Sequence, residues 1–175
     1  MAIDMRPILV GETKKIALDY DFSLTDSEFP FDTAIDGVVF AKPAHIDGEI
    51  VNMGGYIRLR AAVSVDYDAE CARCLKPLCR SFTVEFERTV VNKGELVNTE
   101  EDDGEDYIEM VDGKLALEEA AAEQLMMEFP MKELCSEDCK GLCPKCGKDL
   151  NEGDCGCPKK EIDPRLAILQ KLLEK

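Results

Sequence analysis

Eight of the nine cysteines fall in close pairs, and closely paired thiols are the donor set of a soft, tetrahedral metal site. Cys143-Pro-Lys-Cys146-Gly147 has two residues between its sulfurs, which lets the chain turn round one ion. The glycine that follows permits a positive φ, so that backbone N–H groups can point at sulfur. Cys155-Gly-Cys157 comes after a short loop containing Gly153, and the four residues Cys143, Cys146, Cys155 and Cys157 can close a local four-thiolate site. Cys71-Ala-Arg-Cys74 repeats the two-residue spacing and needs two more ligands, which Cys135 and Cys139 can supply. Two zinc ions are the expected cofactors, each held by four thiolates with no coordination position left for water.

Other assignments remain open at this point. The ligands could be shuffled between the two sites, four thiolates could hold an iron-sulfur cluster, and Cys71 and Cys74 could form a redox dithiol. The helix start and βαβ setting that favour such a dithiol are missing. Cys79 is left over and is expected to be a small, buried or half-buried strand residue. The single histidine, His45, lies close to Pro43 in an expected surface turn, and no Ser/His/Asp arrangement or phosphate-cradling glycine loop is present. The chain is therefore expected not to be an enzyme and to have no small-molecule substrate.

The elements that must position these thiols are written in the hydrophobic periodicity. Ile16, Leu18, Tyr20, Phe22 and Leu24 alternate with polar neighbours, as in a half-buried strand. A longer alternation runs Ile57, Leu59, Ala61, Val63, Val65, Tyr67, Ala69, and a further one runs Phe82, Val84, Phe86. Shorter apolar runs lie at 37–41 and 46–51, and Asn52-Met53-Gly54-Gly55 makes a turn into the long strand. Successive strands joined by short turns predict an antiparallel sheet, with Cys71 and Cys74 at the tip of a hairpin. Residues 92–106 are acidic and glycine-rich and predict an exposed loop, with order returning near Tyr107. A helix is predicted over about 117–129, with Leu117, Ala120, Ala121, Leu125 and Met127 or Glu128 at helical spacing and Pro130 as its stop. A last helix is predicted from Asp163-Pro164, with Leu166, Ile168, Leu169, Leu172 and Leu173 on its apolar face. The fold class is thus α+β: an antiparallel sheet with a helix after it, a zinc-ribbon-like cysteine module and a C-terminal helix. Its expected division is a β-rich domain over 1–131 and a cysteine module with the last helix over 132–175, tied to the first through Cys71 and Cys74.

Charge narrows the choice of partner. The net charge is −16, of which −11 resides in residues 91–131, and each zinc held by four thiolates adds about two negative charges. Such a surface is repelled by nucleic acid phosphates and suits a basic protein partner. Arg58 and Arg60 share one face of the long strand, and Lys140, Lys145, Lys148, Lys159 and Lys160 surround the cysteine module. Ordinary salt bridging accounts for them better than an RNA contact. No run approaches the roughly 20 apolar residues of a membrane span, and Met1 to Val10 lacks the pattern of a signal peptide. A reducing, cytoplasmic location follows, in which thiols bind metal rather than pair as disulfides.

The residues also carry a resemblance. Cys71-Ala-Arg-Cys74-Leu75, Glu123-Gln124-Leu125 leading to Phe129-Pro130-Met131, Cys135, Cys139-Lys140-Gly141-Leu142-Cys143-Pro144, Leu150-Asn151 and Asp163-Pro164-Arg165-Leu166 together resemble the bacterial YceD family of large ribosomal RNA accumulation proteins. The resemblance runs from the long strand to the final helix. It implies a role in ribosome biogenesis, in the synthesis or accumulation of large-subunit ribosomal RNA, with no known enzymatic activity. Family members are often encoded beside a small zinc-ribbon protein of the large subunit, and some lack most of the second cysteine set. The Cys71 and Cys74 pair belongs to the central family motif, which raises its expected importance above what its spacing indicates. The expected partner is a basic ribosomal or assembly protein; a zinc-dependent nucleic-acid-binding regulator and a redox protein using Cys71 and Cys74 are the alternatives.

Overall fold

The computed structural model describes residues 2–24, 34–94 and 107–158. Strand β1 (Ile3–Asp4) and the short helix α1 (Arg6–Leu9) precede β2 (Lys15–Phe22), β3 (Val38–Val39), β4 (Ala44–Asn52), β5 (Ile57–Glu70) and β6 (Pro77–Asn92). They are followed by β7 (Tyr107–Val111), β8 (Lys114–Leu115) and helix α2 (Leu117–Glu128). One sheet of eight strands results, in the order β1-β8-β7-β6-β5-β4-β2, with β3 pairing β5 beyond the end of β4.

The sheet is mixed, where the sequence led us to expect antiparallel pairing throughout. Thr89–Asn92 of β6 run parallel to Tyr107–Met110 of β7, and the other pairs are antiparallel. Alternation specifies which face of a strand is buried but not which way its neighbour runs. Parallel pairing needs a long connection, and residues 93–106 supply one. The expected acidic loop lies largely outside the described residues, as do the last helix, Lys159 and Lys160.

The period-two pattern sorts the side chains as predicted. Ile57, Leu59, Ala61, Val63, Val65, Tyr67 and Ala69 are all buried, and their β4 neighbours Ala44, Ile46 and Ile50 complete the same face. Gly48 lies opposite Ala61, where an added Cβ would stand 2.7 Å from the Ala61 Cα, so β4 and β5 approach there as only glycine allows. On the outer face Glu87 receives both Arg58, at 2.6 Å, and Arg60, at 3.2 Å. His45 lies on this outer face near the start of β4, paired on both sides, rather than in a turn. Its Nδ1 is 2.7 Å from Asp21 Oδ1, and that hydrogen bond, with help from the charges of Asp21, Asp19 and Asp47, outweighs an opposing desolvation and raises its pKa.

Helix α2 lies on the buried face of the sheet, which it covers with Leu117, Ala121, Ala122 and Leu125. Met127 is 68% exposed, and Met126 packs on the core instead. Glu118 and Glu119 in the first turn complement the helix dipole. Phe129 leaves the helix with extended backbone, as a residue before proline must. Its ring sits 4.8 Å from Tyr67 and 5.6 Å from both Phe40 and Phe82. That aromatic cluster fixes where the chain emerges from the helix, at the end of the sheet that carries Cys71. At the opposite end Met5 and Ile8, both fully buried, close the core. No described helix is long and apolar enough to cross a membrane.

Candidate metal centre

Cys71 continues the inward parity of β5 one step past Ala69, so its sulfur is directed inward and the residue is fully buried. The chain then reverses in four residues. Leu75 N–H donates to Cys71 O at 2.9 Å and Cys71 N–H donates to Lys76 O at 2.9 Å, after which Pro77 opens β6. The pair does stand at a hairpin tip.

Two segments from beyond α2 meet this tip. Cys71 Sγ is 3.8 Å from Cys139 Sγ, Cys74 Sγ is 3.6 Å from Cys135 Sγ, and all four sulfurs lie within 4.8 Å of one another. Four thiolates about 2.3 Å from a single tetrahedral ion stand about 3.8 Å apart along each edge, so the donor set fits one ion. The Cys135 amide adds a hydrogen bond to Cys71 Sγ at 3.4 Å, and Asn151 Nδ2 adds one to Cys139 Sγ at 3.4 Å. Both neutralise thiolate charge from outside the ligand set.

The ionisation of the thiols points the same way. Burial opposes a charge on Cys71, but amide hydrogen bonds from Arg73, Cys135 and Cys74 outweigh it and bring the thiol down to about 6. At Cys74 the Lys76 amide favours the thiolate, yet burial and the adjoining Cys71, Cys135 and Cys139 sulfurs push it up to about 12. One sulfur ionises at the expense of the next, since like charges this close oppose one another. A divalent cation removes that conflict and lets all four ionise.

The joint around this cluster is dense. Ala72 N–H donates to Glu133 O at 2.8 Å, Leu142 N–H to Arg73 O at 2.9 Å, and the Arg73 guanidinium to Cys139 O at 2.8 Å and Glu137 O at 3.2 Å. Tyr67 Oη donates to Glu133 Oε1 at 2.7 Å, and burial, with that carboxylate, raises its pKa to about 12. Arg80 reaches Leu134 O at 3.3 Å. From sequence, Arg73 and Asn151 stand out only as parts of the motifs that carry the resemblance, with no role attached, and Glu133 does not stand out at all: none of the three carries a periodic signal.

The second cluster is local. Cys143, Cys146, Cys155 and Cys157 also have their sulfurs within 4.8 Å of one another. Amides of Cys146 and Lys145 and then the Cys155 thiol draw Cys143 down to about 6, while Cys146 and Cys155 push Cys157 up to about 12. The turn at Cys143 copies the turn at Cys71: Gly147 N–H donates to Cys143 O and Cys143 N–H to Lys148 O, both at 2.8 Å. Gly147 has φ +73°, and the residue in its place at the first turn is Leu75, with φ +59°. Cys146 is exposed and Cys155 and Cys157 are half-buried, whereas Cys71, Cys74 and Cys139 are buried. Cys79 joins neither cluster. It is a strand residue as expected, but it lies on β6 opposite Asp68 and is exposed, which corrects the expected buried or half-buried position; the Asp68 carboxylate raises its pKa.

Comparison with known proteins gives this arrangement a context. The chain is 30% identical to an uncharacterized protein of Mycobacterium tuberculosis over 129 residues, 73% of this chain and 61% of that protein. It is 26% identical to the uncharacterized protein YlbN of Bacillus subtilis over 137 residues, 76% of each. Identity is 22% over 157 residues to the large ribosomal RNA subunit accumulation protein YCED homolog 1, chloroplastic, of Arabidopsis thaliana, covering 75% of this chain and 49% of that one. The chain thus spans about 61% of the length of its mycobacterial relative, and no solved structure matches it. The family model described as large ribosomal RNA subunit accumulation protein YceD matches residues 59–173, from within β5 through both cysteine clusters. By that match the chain belongs to the YceD family.

Proposed function

We propose that this protein holds one zinc ion at Cys71, Cys74, Cys135 and Cys139 and a second at Cys143, Cys146, Cys155 and Cys157. Clamped in this way, it acts without catalysis in the accumulation of large-subunit ribosomal RNA, by binding a basic ribosomal or assembly protein in the cytoplasm. The observation that carries the reading is the convergence of Cys74 and Cys135, 61 positions apart in sequence, at the tip of the longest hairpin. A metal there makes the joint between sheet and cysteine module part of folding itself. Zinc suits the site because the spacing of the four sulfurs matches a single tetrahedral ion better than the wider spread of a multi-iron cluster, and four protein ligands leave no position for a reacting water. A rigid, metal-fastened surface serves recognition. The family name points to the large ribosomal subunit, and the net charge of −16 favours a basic protein over phosphate.

Two measurements test this. Native mass spectrometry of the purified chain is expected to show two zinc ions, one lost in C71S/C74S and the other in C143S/C146S; a single metal, or none, refutes the assignment. Deletion of the gene is expected to lower mature large-subunit RNA, and the protein is expected to co-sediment with large-subunit precursors. Normal RNA levels with no particle association would remove the proposed role.

A further inference from the structure

The two clusters share a bridge that neither needs for its own ligands. Asn151 lies in the loop between the Cys143–Cys146 turn and Cys155, yet its Nδ2 donates to Cys139 Sγ of the other cluster at 3.4 Å. Its Oδ1 accepts from Lys140 N–H at 2.8 Å, which directs the amide nitrogen to the sulfur. Asp149 holds the asparagine from behind, with its Oδ1 2.8 Å from Asn151 N and 2.7 Å from Nδ2. The other oxygen of the same carboxylate meets Lys76 Nζ at 3.1 Å, two residues past Cys74. Leu150 N–H donates to Gly141 O at 2.9 Å, and the Leu142–Asp149 bridge closes the hairpin. The loop whose ends carry the second ligand set therefore supplies a hydrogen bond to a sulfur of the first cluster and an ion pair to Lys76 beside it.

We infer that the two metal sites are thermodynamically coupled through Asn151. Closing the loop at Cys143, Cys146, Cys155 and Cys157 presents the Asn151 amide to Cys139 and so tightens metal binding at Cys71, Cys74, Cys135 and Cys139. Asn151 is a positioning residue: it touches a ligand sulfur, not the metal. Linkage is reciprocal, so metal in the first cluster also tightens the second. Hydrogen bonds from outside the ligand set typically change metal affinity about 10–100-fold, and one amide donor on one of four sulfurs belongs at the low end of that range. The inference rests on the proposed metal occupancy, and the experiment separates the two.

The test uses the full chain, loaded with zinc and titrated against a chelator of known affinity, with cadmium-113 NMR of the cadmium-loaded form as a second readout. The parent binds two ions. In N151A the affinity of the cluster that C71S/C74S abolishes falls about tenfold, and the other cluster, measured with the first loaded, weakens by the same factor as reciprocity requires. Only the cadmium resonance belonging to the first cluster moves. C143S/C146S, which empties the second cluster, lowers the affinity of the first at least as far. Asn151 is exposed, so N151A is expected to fold. Parent-like affinity at the first cluster in either variant, or an unmoved first-cluster resonance in N151A, overturns the coupling while leaving two-metal binding in place. A parent that takes up fewer than two ions sinks the coupling and the occupancy together.

Discussion

Gly141 and Gly147 have the same φ and different surroundings, which allows the fit between the first cysteine turn and the second hairpin to be measured. Each has φ +73°. An alanine at either position carries the left-handed strain of an L-residue, about 1–2 kcal/mol, less about 0.4–1 kcal/mol recovered because the unfolded chain is stiffened. Nothing lies within 4 Å of the Cβ that would be added at Gly147. At Gly141 the added Cβ would stand 2.8 Å from Arg73 O, 3.2 Å from Arg73 Cβ and 3.3 Å from the Arg73 carbonyl carbon. Arg73 O cannot give way freely, because it accepts Leu142 N–H at 2.9 Å while the Arg73 guanidinium is held by Cys139 O. Forcing an extra carbon into such a contact costs about 1–3 kcal/mol. G147A is therefore expected to lose about 1 kcal/mol and G141A about 2–4 kcal/mol. The assay is equilibrium urea unfolding of each metal-loaded variant at fixed free zinc, since metal binding shifts apparent stability by mass action. At a slope of about 1–3 kcal/mol per molar urea, the two midpoints separate by about 1 M. Midpoints that differ by less than about a quarter of that would refute the tight contact between Gly141 and Arg73.

Two further outcomes follow from single residues. Leu75 holds φ +59° and is 58% exposed at the position glycine occupies in the second turn. L75G should therefore raise stability by about 0.5 kcal/mol, the relief of left-handed strain less the entropy of glycine; a loss of 1 kcal/mol or more in the same urea assay would mean that the leucine side chain is packed. His45, the single histidine, should titrate above the usual imidazole range by NMR, with D21N lowering it. Because its folded pKa is raised, its small contribution to stability is present below pH about 6.5 and is lost as pH rises through the folded value. An unchanged titration in D21N would count against the Asp21 hydrogen bond as the cause.

The sequence by itself determined which side chains are buried along the long strands, where α2 runs, and that eight cysteines come in closely spaced pairs able to hold metal. These are local properties: a period of two or 3.6 residues, a proline stop, or a two-residue spacing is legible within a dozen residues of chain. Cys143 to Cys157 are close enough in sequence to meet, whereas spacing left the partners of Cys71 and Cys74 open, and it is the fold that brings Cys135 and Cys139 to them. Non-local geometry decided the rest. The parallel pairing of β6 with β7 depends on where a long connection returns, and the outward face of Cys79 depends on its register against Asp68. His45 passed for a turn residue because Pro43 precedes it closely, but pairing on both sides, with Asp21 and Ser64, holds it in the sheet. The bonds that Arg73 and Glu133 make around the first cluster, with Tyr67, Ala72, Glu137, Cys139 and Leu142, join segments far apart in sequence, and Asn151 reaches back to Lys140 and Cys139. No spacing rule reaches across such separations. They exist because the buried face of β5, the aromatic cluster around Phe129 and the turn at Cys71 bring those segments to one place, and only then does the chemistry of each side chain decide what it binds.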